Sequence, residues 1–135
     1  MRFSFKGYYK NWFFRSLKEL SYVLHLESVG SKWSSAEIPS LTVTYTDVYG
    51  KTKKHYADLL VDNKVIVEVK PRRYQNSKIV KLKAEAMKDF CTKNGYVYSM
   101  VSPRKINKKT LKDLYVSGAI TIQDCYKKKF EKYLG

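Results

Sequence analysis

Asp58, Glu68 and Lys70 are the residues whose types and spacing would do chemistry in this chain. Glu68 and Lys70 stand two positions apart in a run otherwise made of Val65, Ile66, Val67 and Val69. That spacing places both side chains on one face of a strand, and an apolar strand has no packing reason to carry them. Asp58 and Glu68 are symmetric about Asn63, so a three-residue loop over 62–64 pairs 61 with 65 and sets 58 opposite 68. A two-residue loop would pair 58 with 67 and part the carboxylates, because a slip of one residue reverses every side chain. Directly opposed carboxylates repel unless a cation lies between them, which predicts a metal. Phosphodiester hydrolysis fits such a set: one or two Mg2+ ions on hard carboxylate oxygens, with Mn2+ as a substitute, activate a water, align it and neutralise charge on phosphorus. In this reading Asp58 and Glu68 hold the metal, the Val69 carbonyl is an additional ligand, and Lys70 orients the water or stabilises the transition state. Glu19, in Arg15-Ser16-Leu17-Lys18-Glu19, completes the metal shell or binds a second ion. Singly, each has a plainer reading: an exposed edge strand for Glu68 and Lys70, a turn-proximal acid for Asp58, a solvated helix position for Glu19. The surrounding apolarity favours the joint one.

The elements that must position these residues follow from periodicity. Leu17, Leu20, Val23, Leu24 and Leu26 recur at helical spacing over 15–28, with Gly30 as the stop. Residues 41–49 alternate as a half-buried strand, Gly50 and Lys51 turn, and further strands are expected over 54–61 and 65–70, the latter ended by Pro71. A second long helix is expected over 77–94, closed by Asn94-Gly95, then a strand over 96–101 and one or two short helices interrupted near Gly118. Helix, three antiparallel strands, helix, strand and C-terminal helices describe an α/β sandwich. With 135 residues, one domain over 1–135 is expected.

The chain carries 27 Lys+Arg against 12 Asp+Glu, a formal charge of +15, so a polyanion is the expected partner. Its 44% hydrophobic and 15% aromatic residues exclude a disordered basic tail. No apolar stretch approaches the roughly 20 residues of a spanning helix, and no membrane partner is expected. Residues 1–10 show no apolar leader core, which points to the cytoplasm. Cys91 and Cys125 with only two histidines leave too few soft ligands for a zinc site, and the thiols read as ordinary buried or half-buried ones.

At Ala57-Asp58 and Val67-Glu68-Val69-Lys70-Pro71 the sequence resembles the PD-(D/E)XK nuclease superfamily, whose motif is an acid on one strand followed by E-x-K on the next. It looks particularly like three branches: phage head-completion nucleases, TnsA-like transposon-end endonucleases and phage endonuclease I junction resolvases. The first likeness runs from Gly7-Tyr8-Tyr9 through the Arg15–Glu19 stretch and Lys32–Pro39 to Pro71, about half the chain. The TnsA-like branch matches better from Lys83-Ala84 to Gly95-Tyr96. Ala57 stands where the superfamily's proline would be, a residue without chemical duty. The resemblance implies a restriction-endonuclease-like three-layer sandwich, an Mg2+-dependent endodeoxyribonuclease encoded by a phage or mobile element, and catalytic roles for Glu19, Asp58, Glu68 and Lys70. It leaves open a homodimer or a phage or transposition partner protein, and host cytoplasm or virion as the location.

Arg15, Lys53, Lys54, Arg72, Arg73, Lys78 and Lys81, with Lys51, flank the centre in sequence and would track a phosphate backbone. Arginine forks suit phosphate, so Arg72 and Arg73 lead; general solvation is the plainer reading for each lysine. Tyr8, Tyr9, Trp12, Phe13 and Phe14 would stack on unpaired bases, with core packing the more economical expectation. His55 is expected as an exposed strand histidine, with a proton carrier as the alternative. The competing functions are a catalytically idle DNA-binding or head-completion module with a nuclease fold, and a structural head or tail component docked on packaged DNA. Neither would respond to Mg2+.

Overall fold

The computed structural model describes residues 4–135; the first three positions of the leader reading and of the 1–135 domain lie outside the described residues. In chain order the elements are β1 (Gly7–Tyr9), β2 (Trp12–Phe14), α1 (Leu17–Ser28), β3 (Trp33–Ser35), β4 (Val43–Thr46), β5 (Thr52–His55), β6 (Leu59–Val61), β7 (Val65–Val69), α2 (Lys78–Asn94), β8 (Val97–Val101), α3 (Lys108–Val116), β9 (Ile120–Ile122) and α4 (Asp124–Leu134). The protein is mixed α/β, with three sheets and four helices among the described residues. No helix is long and apolar enough to cross a membrane among the described residues.

The chain divides into two compact units, residues 1–25 with 103–135, and residues 26–102. The first holds the antiparallel sheet β2-β1-β9 and helices α3 and α4. Lys10 and Asn11 turn β1 into β2 with φ of 49° and 64°, the left-handed pair a two-residue hairpin demands. Phe130, fully buried, centres its core: Phe5 meets it edge-on at 5.1 Å and Tyr115 at 5.0 Å. Gly7 lies where β1 and β9 pack so closely that a Cβ would collide with the Thr121 carbonyl. Ser16 caps α1, accepting from the Glu19 N–H at 3.2 Å.

The second unit begins in the last turn of α1, where Ser31 N–H reaches back to the Leu26 carbonyl and Gly30 N–H to that of Glu27, with Gly30 at φ 77°. This is the glycine stop expected there. The unit's main sheet has the order β3-β6-β7-β8, antiparallel except for the parallel pair β7–β8 that α2 connects. Ser77 accepts from the Val80 N–H at the start of α2, and Gly95 at φ 78° ends it. Ala36, Leu41, Val43, Ala57, Ile66, Met87 and Cys91 form the buried core, with Leu60, Phe90 and Tyr98 packed against it.

Three expectations need correcting. The single strand over 54–61 is two strands, because His55 pairs with Val43 in the separate β4–β5 hairpin whereas Leu59 pairs with Ser35 and Val67 in the main sheet. The polar stretch after α1 contains β3, which covers the β6 edge. The first strand, expected over 41–49, does not extend the sheet of β6 and β7 but pairs only with β5.

Candidate active site

The β6–β7 turn fixes the register on which the site depends. Val61 faces Val65, Leu60 faces Ile66 and Leu59 faces Val67, the pairing expected of a loop over 62–64. Asp62 and Asn63 take φ of 52° and 54°, which aspartate and asparagine tolerate best, and Lys64 N–H closes the turn on the Val61 carbonyl at 3.0 Å. The ladder loses its regular spacing one residue further out. Asp58 N–H donates to the Val67 carbonyl at 3.1 Å, so the rung 58 to 68 is not formed. Instead Asp58 Oδ2 accepts from the Val69 N–H at 2.7 Å, its carboxylate taking the place of the next rung. Asp58 is thereby held against the backbone between Glu68 and Lys70.

Glu68 is buried, with 7% of its surface exposed. An uncompensated carboxylate there would be costly. His55 Nε2 lies 3.0 Å from its Oε1, and the Tyr98 hydroxyl donates to the same oxygen at 3.2 Å. Burial, then the charge of Glu68, push the Tyr98 phenol far above its ordinary range, so it remains a protonated donor. Lys70 follows β7 half-buried: its N–H donates to the Val101 carbonyl at 2.9 Å and its own carbonyl accepts from Gln75 Nε2 at 2.9 Å.

His55 corrects the sequence reading: its side chain is only 10% exposed and it faces Glu68 rather than solvent. Tyr45 meets its ring edge-on at 6.5 Å. Periodicity carried no signal for it: with the Asp58 N–H on the Val67 carbonyl, Ala57 joins Ile66 in the core whereas Leu59, opposite Val67, lies on the other face, and the partnership of Tyr98 depends on the parallel register of Ile66 with Tyr98.

The expected phosphate-binding residues fall in both units. Lys53 and Lys54 lie on β5, exposed, Lys53 pairing with the buried Asp47 at 3.2 Å. The N–H groups of Lys51 and Tyr49 also bind Asp47; these bonds, that of Lys51 foremost, outweigh its burial and hold it ionised below the usual carboxylate range. Arg72 and Arg73 form a short 3-10 turn immediately after Pro71, both exposed, with Arg73 over the Tyr74 ring at 5.1 Å. Lys78 and Lys81 are exposed on the first turn of α2. Glu19 and Arg15 belong to the first unit, where Glu19 Oε1 accepts from the Arg15 N–H at 3.1 Å and completes the cap of α1. Cys91 is buried and Cys125 exposed; burial pushes the Cys91 thiol up.

Among the described residues no three His, Cys, Asp or Glu side chains stand together as a ready-made metal cage. Mg2+ does not require one, since it keeps most of its waters and takes one or two carboxylates plus substrate phosphate. The donors near β7 fit that demand: the Asp58 carboxylate on the Val69 N–H, and the neighbouring Glu68 carboxylate with a phenol and an imidazole as partners. No family model, curated protein or solved structure matches the chain.

Proposed function

We propose that this chain is an Mg2+-dependent DNA endonuclease of the PD-(D/E)XK type, built on a restriction-endonuclease-like sandwich. The observation that carries the reading is the Asp58 carboxylate on the Val69 N–H, between a buried Glu68 on β7 and Lys70 immediately after it. The mixed order β3-β6-β7-β8 with α2 between parallel strands supports the fold assignment. Asp58 and Glu68 would hold the ion, with the Val69 carbonyl; when bound, it supplies charge neutralisation on the phosphate and a more acidic water. Lys70 donates to a phosphate oxygen or fixes the attacking water, and an ammonium following an apolar strand acts with little competing solvent. The Val69 N–H keeps Asp58 in place before any ion arrives. Exposed Arg72 and Arg73 follow the same strand and supply forked donors to the DNA backbone. A host-cytoplasmic or virion-associated phage or mobile-element protein fits the +15 charge.

One observation favours an idle, DNA-binding reading: Asp58 and Glu68 already have hydrogen-bond partners within the protein. Supercoiled plasmid incubated with Mg2+, with Mn2+ and with chelator separates the two. Cleavage that requires metal and falls at least about a hundredfold in Asp58→Asn and Lys70→Ala is expected. Glu19→Gln keeps a capping-box residue while removing the charge, so cleavage lost at unchanged stability would assign Glu19 to the chemistry. Intact plasmid in every condition, with DNA binding retained, would falsify the nuclease reading for duplex substrates.

A further inference from the structure

The outer face of the β2-β1-β9 sheet carries two aromatic residues, Tyr8, which the fold leaves exposed, and Phe13, which is half-buried. Alternation along each strand sends Tyr9, Trp12, Phe14, Ile120 and Ile122 inward, all buried, and sends Tyr8, Phe13 and Thr121 outward. Tyr8 sits directly opposite both Phe13 and Thr121 and is 49% exposed. Its ring centroid is 5.1 Å from that of Phe13, inclined at 53°, and the Arg15 guanidinium lies 5.3 Å from the Phe13 centroid on the far side in sequence. Tyr8 and Phe13 thus pack as a tilted pair, with the Arg15 guanidinium against Phe13, on a sheet whose geometry is fixed by pairing on both sides of β1. Lys10, in the hairpin turn, holds its ammonium 5.5 Å from the ring centroid of the inward-facing Tyr9, so Arg15 is the cation of the outer face. Solvent-facing strand positions ordinarily carry threonine or charge, as Thr121 does.

We infer that this face is a stacking platform for the unpaired bases of single-stranded DNA, with Tyr8 and Phe13 as the stacking residues and Arg15 as the phosphate contact. Flat rings bind base faces irrespective of sequence, and a flanking cation binds the backbone between them, the combination that single-strand binding needs. The inference rests on DNA as the ligand of the proposed nuclease and narrows it: the preferred substrate contains an unpaired stretch, such as a gap, a flap or a frayed end.

The test is the affinity of the full chain for a fluorescently labelled oligothymidylate, measured by anisotropy in chelator across a salt series, beside a duplex and an RNA of the same length. Tyr8→Leu and Phe13→Leu keep apolar cover on the sheet but remove the ring face. Single-strand affinity about tenfold weaker in each, at an unchanged salt slope and unchanged duplex affinity, is expected, because stacking is lost while phosphate contacts persist. Retained affinity in both leucine variants, or tighter binding of the RNA than of the DNA, overturns the platform. Circular dichroism checks that the leucine variants fold, and Tyr8→Phe, which keeps a ring, should bind as the parent does. Chelator makes the result independent of cleavage, so platform and nuclease centre can fail separately.

Discussion

Asp58 has two duties at one atom pair: it satisfies a backbone N–H that β6 is too short to reach, and it presents negative charge beside Glu68. Substitution separates them. Asp58→Asn retains a carbonyl acceptor for the Val69 N–H, so its denaturant midpoint should stay near that of the parent although cleavage is lost. Asp58→Ala leaves the N–H unpaired and should lower stability by about 1–2 kcal/mol as well. Equal stability of the two variants in urea unfolding would show that the Val69 bond contributes nothing. At this scale the sequence was informative about types and positions, because an acid and a lysine in a valine strand are conspicuous. It could not show the bond itself. The expected opposition of Asp58 and Glu68 gave way to a carboxylate folded onto the backbone, since side-chain competition for a ladder N–H depends on where the ladder ends.

Long elements were legible and short ones were not. α1, α2 and the β6–β7 turn follow from helical spacing, two glycine stops and a symmetric loop. β1, β2, β3 and β9 have three residues each, too few for alternation to rise above chance, although Lys10-Asn11 between Tyr8-Tyr9 and Trp12-Phe13-Phe14 was a hairpin signal in retrospect. The break between β5 and β6 was hidden for a different reason: no glycine or proline interrupts residues 55–61 while the partner strand changes. Close packing of β1 on β9 yields a prediction at the same scale. Gly7→Ala forces a methyl group against the Thr121 carbonyl and should destabilise the first unit by about 1–3 kcal/mol. Hydrogen exchange of the β9 amides should accelerate while that of β7 does not; uniform acceleration would show that the two units unfold together.

For the whole molecule, the proposed DNA binding predicts a strong salt dependence, since the formal charge is +15. If six phosphates are neutralised, duplex affinity should fall on the order of a thousandfold between about 50 and 200 mM salt. A nearly flat salt response would mean that the lysines are merely solvated and that the +15 charge has another purpose. The pairing of β1 with β9 has a consequence for synthesis. The first unit is assembled from both ends of the described chain, and residues 26–102 lie between its halves. On the ribosome the central unit, with Asp58, Glu68 and Lys70, has its last strand before any of β9 has been translated. Gly7 to Tyr9 can then pair only with β2 until Ile120 to Ile122 clear the exit tunnel, so the segment with the proposed centre is synthesised before the sheet that carries the aromatic face can close.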